Sequence, residues 1–180
     1  MRVIAGSAKG TRLAPVPEGT RPLSDRAREG LFSSMGEAVP DAACADLFAG
    51  TGAVGIEALS RGAGSCLFVD SSAAAISALR ENLTRTGLEE RARVVRAEAR
   101  KALERENDRF DLVFLDPPYE ILERELEAIL AMVVDRLEPN GQFVLTRPKR
   151  KDSMSVIPLD WPARLLSYGD ARILVCRRQI

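Results

Sequence analysis

The chain of 180 residues contains no histidine. That absence removes the commonest general base, the Ser–His and Cys–His nucleophile pairs, and histidine-based metal sites. Chemistry must run on carboxylates, backbone dipoles, Lys, Arg or Tyr, or on a cofactor that brings its own reactive group. Cysteine is scarce too. Cys44, Cys66 and Cys176 are odd in number, widely spaced and form no CxxC pair. This argues against a disulfide framework or a zinc ribbon and for buried free thiols. No apolar run escapes interruption by charge for long enough to span a bilayer. The opening MRVIAGSAKGTRL lacks the apolar core of a signal peptide. A soluble, cytoplasmic protein is therefore expected. Internal repeats and low-complexity tracts are missing as well.

What is present is material for one good core: 46% hydrophobic and 29% charged residues at zero formal net charge. The charge is unevenly spread. Residues 1–30 carry 6 basic and 3 acidic side chains, and residues 142–180 carry 8 and 3. The stretch between is left with 12 basic and 20 acidic. The distribution fits either a solvated surface or a basic rim built from both ends and suited to phosphates.

Residues 1–20, punctuated by Gly6, Gly10, Pro15, Pro17 and Gly19, predict short strands and turns, a hairpin-like extension of a domain spanning 21–180. Ser24 is placed to cap a helix over DRAREGLFSSM. Then strand and helix alternate. CADLFAG, SCLFVD, ARVVRAEA, FDLVFLD and QFVLTR are short buried strands. AVGIEALSRG, SSAAAISALRENLTRTG, RKALERE and ILERELEAILAMVVDRL are the helices between them. Asn140-Gly141 is expected as a turn before the fifth strand. ARLLSYGDARILVCRR predicts two strands joined at Tyr168-Gly169-Asp170. Such alternation means an α/β fold of Rossmann-like type: a mostly parallel sheet covered on both faces, closed by an antiparallel C-terminal hairpin. Ligands of these sheets bind beyond the carboxyl ends of the strands, near the switch point of strand order.

The strand ends carry the chemistry. The first runs Asp46-Leu47-Phe48-Ala49-Gly50-Thr51-Gly52 and on to Gly55, a GxGxxG between strand and helix. The second ends at Asp70, 20 residues after Gly50, where a carboxylate accepts from ribose hydroxyls. This fits a dinucleotide or S-adenosylmethionine. Three features favour the latter: Asp46 within DxFxGxG, an acid at Ala97-Glu98-Ala99 for an adenine amine, and Asp116-Pro117-Pro118-Tyr119 after the fourth strand. Two prolines end a strand and leave carbonyls without neighbouring N–H donors. With a carboxylate and an aromatic ring, that turn can clamp a planar amine.

DxFxGxG, the acid after strand two and [DN]PP[YF] after strand four resemble the exocyclic-amino methyltransferases of class I. RVIAGSAKGTRL followed by RPLSDRAREGLF is similar to the start of the RsmD-type guanine-N2 methyltransferases of small-subunit ribosomal RNA. The resemblance covers nearly the whole chain. It implies a class I methyltransferase fold and S-adenosylmethionine bound by Asp46, Phe48, Gly50, Thr51, Gly52, Asp70, Glu98 and Ala99. It implies catalysis by Asp116, Pro117, Pro118 and Tyr119 without metal. Glu98 stands where the family usually has Asp, and LTRPKRK stands where many members place an acid. RNA contacts are expected from Lys9, Arg12, Arg21, Arg28, Arg147 and Lys149, with Arg150 and Lys151 alongside; the cluster at 147–151 fits a solvated loop equally well. The expected partner is small-subunit rRNA within a ribosomal assembly particle, met by a monomer. The DPPY turn is shared with DNA adenine-N6 methyltransferases, and a nucleotide-binding module using only the glycine loop is a third reading.

Overall fold

The structure, a computed structural model, describes residues 1–15, 22–149 and 161–179. Its centre is a sheet of β1 (Ala43–Asp46), β2 (Ser65–Asp70), β3 (Ala92–Arg96), β4 (Phe110–Leu115), β5 (Leu137–Pro148), β6 (Ala163–Tyr168) and β7 (Ala171–Arg177). Strand order is β3-β2-β1-β4-β5-β7-β6. β1 to β5 pair in parallel, and β7 runs antiparallel to both β5 and β6. Five α-helices accompany it among the described residues: α1 (Asp25–Met35), α2 (Ala53–Ser60), α3 (Ala73–Thr86), α4 (Ala99–Arg105) and α5 (Glu123–Arg136).

Two of the helices, α1 and α3, start where a serine supplies a partner for an orphan backbone group. Ser24 Oγ accepts from Ala27 N at 3.2 Å and begins α1. Ser72 Oγ accepts from Ala75 N at 3.3 Å and begins α3. Each such cap contributes about 1 kcal/mol. Gly87, in the left-handed region at φ 67°, closes α3 by donating to the carbonyls of Leu83 and Thr84.

Both faces of the central strands β1, β2 and β4 are covered, which is why they read as near-continuous apolar runs, whereas the edge strands β3 and β6 are half-exposed or exposed. On one face Phe68, Leu112, Phe114, Val144 and Val175 meet Leu31 and Phe32 of α1, Ile56 and Leu59 of α2, and Leu79 and Leu83 of α3. On the other, Leu67, Val69, Val113, Phe143 and Leu145 meet Leu103 of α4 and Leu126, Ile129 and Val133 of α5. Cys44, Cys66 and Cys176 are free and buried. Burial pushes the Cys44 thiol up to about 12 and the Cys176 thiol to about 11. No helix among the described residues is long and apolar enough to cross a membrane.

Two local expectations change. Asn140-Gly141 does not separate α5 from β5. It lies inside β5, with Asn140 at φ 66° and a pairing shift between Phe110 and Leu112 absorbing the irregularity. A side chain at Gly141 would crowd the carbonyls of Glu138, Phe110 and Asp111, so only glycine lets the strands approach there. The N-terminal hairpin is reduced to one antiparallel bridge, Arg2 to Arg12, closing a loop. Val3, Ala8 and Leu13 of that loop are buried in the same apolar cluster as α1 and α2.

Candidate active site

Neighbours β1 and β4 continue to opposite sides of the sheet, so a crevice opens beyond their carboxyl ends. A cavity of about 1230 Å³ lies there, lined by the loop after β1, the ends of β2 and β3, the turn after β4, and Pro22, Leu23 and Arg28 from the approach to α1 and the helix itself.

The loop after β1 is built around backbone geometry. Gly50 and Gly52 hold φ of 53° and 82°, conformations that side chains oppose. Gly52 is the N-cap of α2, and its carbonyl accepts from Ile56 N at 2.8 Å. At Gly55 a side chain would run into the Phe68 ring and Cys66 Sγ, so its bareness lets α2 sit on β2. Phe48, Gly50 and Thr51 line the cavity, whereas Gly52 only shapes the turn. The Asp70 carboxylate fixes the loop from the side. Its Oδ2 accepts from Gly50 N and its Oδ1 from Ser72 N, both at 2.8 Å. Each oxygen retains a lone pair for a ligand hydroxyl. Ala99 begins α4 on the cavity wall, and the adjoining Glu98 is solvent-facing, its carboxylate paired with Lys101 Nζ at 2.8 Å.

Asp46 is buried and accepts from Gly55 N at 3.1 Å, bracing the first turn of α2. Desolvation, the Gly55 bond that opposes it, and the charges of Asp116 and Asp70 leave its carboxyl raised from an ordinary 3.8 to about 7. Asp46 pairs in register with Phe114, so Asp116 lies two residues beyond the same level on the neighbouring strand. Desolvation raises Asp116 from 3.8 to about 7 as well, and no donor among the described residues meets its carboxylate. The Pro118 carbonyl accepts from Ile121 N at 3.1 Å and closes the turn. No described backbone N–H donates to the Pro117 carbonyl. Tyr119 lies at the cavity mouth, 38% exposed.

The expected RNA contacts divide. Lys9, Arg12 and Lys149 are exposed. Arg28 is not at the surface: it is 0% exposed, because α1 turns it inward, where Nη2 donates to the Arg2 carbonyl at 2.6 Å and to Asp25 Oδ1 at 2.8 Å. Arg147, 2% exposed, is likewise taken into the sheet by the long β5–β7 pairing. Neither side chain is available to a phosphate at the surface. Arg21, Arg150 and Lys151 lie outside the described residues.

Three residues that position the site carry no motif. Glu57, 0% exposed, accepts from Ile4 N at 2.8 Å, Ala5 N at 3.0 Å and Arg61 Nε at 2.7 Å. Ser60 accepts from Ala8 N at 3.0 Å and donates to the Ala5 carbonyl at 2.6 Å. Buried Asn82 accepts from Ala14 N at 2.7 Å and donates to the Thr51 carbonyl at 2.8 Å. Together they dock the N-terminal loop against α2 and tie its end to the glycine loop. The available signal was polarity at helical positions that face the core.

Known proteins are similar to this chain. YlbH of Bacillus subtilis (strain 168) is 41% identical over 99% of this chain and 100% of its own length. The ribosomal RNA small subunit methyltransferase D of Escherichia coli (strain K12) is 33% identical over 89% of this chain and 81% of its own. The fold is shared with the Thermus thermophilus 16S rRNA N2 G1207 methyltransferase RsmC, solved with AdoMet and guanosine. The TM-score is 0.76 at 23% identity, over 90% of this chain and 44% of that one. A family model described as Conserved hypothetical protein 95 matches residues 1–174. With that match and these relatives, the chain belongs to this family, the RsmD family of small-subunit ribosomal RNA methyltransferases.

Proposed function

We propose that this methyltransferase uses S-adenosylmethionine to methylate the exocyclic N2 amine of a guanine in small-subunit ribosomal RNA, met in an assembly particle. The observation that carries the reading is Asp116: a desolvated carboxylate that no donor among the described residues meets, beside the Pro117 carbonyl, to which no described backbone N–H donates, both lining the same cavity as the glycine loop. The family and the relatives' names support RNA, rather than DNA, as the target.

The cavity residues fit the cofactor. Asp70 keeps two lone pairs for ribose hydroxyls. The positive-φ loop at Gly50 and Gly52 brings backbone close to a ligand. Ala97, Glu98 and Ala99 line the adenine end, and Asp46 and Phe48 line the floor. When bound, S-adenosylmethionine supplies an electrophilic methyl group on a cationic sulfur.

The chain's own residues then have defined tasks. A guanine N2 is a weak nucleophile because its lone pair is delocalised into the ring. Asp116 accepts one amine N–H, and the Pro117 carbonyl accepts the other. Holding both lets the nitrogen leave planarity and turn its lone pair toward the methyl group. Proline fixes these acceptors in advance, so little reorganisation accompanies the reaction. Tyr119 stacks on the base and sets the line of approach. Desolvation makes the Asp116 carboxylate a stronger base, suited to take the amine proton at neutral pH. A base held in a helix cannot reach this clamp, so it arrives unpaired or flipped out. Residues 1–20 act as the docking extension of the 21–180 domain. They present Lys9 and Arg12 to phosphates, with Lys149 as a second contact, and a monomer suffices.

Methyl incorporation from labelled cofactor into small-subunit particles and naked rRNA, followed by mapping of the product, tests the reading. The methyl group is expected on guanine N2. Asp116→Ala should retain cofactor binding and lose most transfer. Tyr119→Phe should stay active and Tyr119→Ala should not. Normal turnover by Asp116→Ala would reduce the turn to a strand terminator.

A further inference from the structure

Arg28 is the one buried cation in the cavity wall among the described residues. Arg100 and Lys101 also line it, but both are half-exposed or more and paired, Arg100 with Glu104 and Glu125, Lys101 with Glu98. Bracing accounts for only part of Arg28. Nη2 makes both of its bonds, to the Arg2 carbonyl and to Asp25. Nε and Nη1 are buried without any partner among the described residues. Three N–H groups are thus left desolvated, a cost that native interiors avoid unless something else meets them. The remaining titratable wall is rich in carboxylates at Asp46, Asp70, Asp116 and Glu98, which repel an anionic group.

We propose that Arg28 receives a ligand carboxylate, the α-carboxylate at the methionine end of the cofactor. This rests on the cofactor reading above and assigns a part of the cavity that the glycine loop, Asp70 and the DPPY turn leave unused. The open nitrogens point to an acceptor, the positive charge requires an anion, and the position on α1 sets that anion apart from the acids of β1, β2 and β4. The Nη2 bond to the Arg2 carbonyl joins the same guanidinium to the N-terminal loop, so its replacement also loosens that loop. The test must therefore compare ligands within one variant.

Two probes differ only in the group at issue: S-adenosylmethionine and its decarboxylated form, which keeps the sulfonium and the amine. Calorimetry on the full chain should show the wild type favouring the carboxylated ligand by about tenfold to a hundredfold, the range for charged hydrogen bonds. Arg28→Met should bring the two affinities together within that variant. Arg28→Lys, which retains charge with fewer donors, should keep part of the preference and covers the case in which the methionine variant does not fold. Equal wild-type affinities, or a full preference in either variant, would overturn the assignment. Failure of the wild type to bind either ligand would instead refute the cofactor reading.

Discussion

Glu57→Ala removes the buried carboxylate that docks the N-terminal loop. It deletes the acceptor for Ile4 N at 2.8 Å, Ala5 N at 3.0 Å and Arg61 Nε at 2.7 Å. Two backbone donors lose their partner, and a cation only 20% exposed loses its counter-charge. Breaking a buried ion pair on one side costs about 3–5 kcal/mol. For a domain of this size each kcal/mol lowers the midpoint by about 2–4 °C, so a fall of roughly 6–20 °C is expected. Glu57→Gln should cost about half as much, because its amide oxygen keeps the Ala5 and Arg61 bonds and its nitrogen opposes only Ile4 N. Scanning calorimetry measures the midpoint, and amide exchange at Ile4 and Ala5 measures the local release. Cofactor affinity should hold, while the KM for RNA rises, since the released loop carries Lys9 and Arg12. A midpoint within about 2 °C of wild type, with unchanged protection at Ile4 and Ala5, would refute the docking argument.

Asp70→Ala should weaken cofactor binding by roughly tenfold to a hundredfold in calorimetry, because it removes ribose acceptors and also frees Gly50 N; unchanged affinity would count against the site. Asp46 and Asp116 both hold their protons up to about 7, against 3.8 when unfolded. The folded state therefore binds more protons between about pH 4 and 7, and the stability this gives is fully present below 3.8 and lost as pH rises through 7. The thermal midpoint of the ligand-free protein should fall from pH 5 to pH 8, less steeply in Asp116→Asn, while methyl transfer rises through pH 7 as Asp116 ionises; parallel trends would refute the assignment. Neutralising Lys9 and Arg12 together should raise the KM for RNA and flatten the salt dependence of binding by about 0.7–0.9 per contact, with cofactor affinity intact. Wild-type salt dependence would remove the N-terminal loop from RNA docking.

The sequence by itself determined most of the elements and the DPPY turn proposed as the clamp, because those depend on local chemistry. Ser24 and Ser72 cap helices through bonds to residues three positions away. The glycines at 50 and 52 allow positive φ wherever they stand, and two prolines end a strand in any context. Alternating strands and helices imply a covered parallel sheet, and the residues at its strand ends can be named from spacing alone. The pairing shift beside Gly141 escaped that logic, since it depends on which strand lies opposite. So did the fate of charge. Arg28 and Arg147 have the composition of surface residues, and only the packing of α1 and the length of the β5–β7 ladder take them inside. Glu57, Ser60 and Asn82 likewise have the look of helix-surface residues until the N-terminal loop, some fifty or more positions away in sequence, brings its backbone N–H groups against them. Local conformation follows from neighbours along the chain. Burial, and with it the pKa of Asp46 and Asp116 and the unpaired nitrogens of Arg28, arises only when distant segments exclude water from one place.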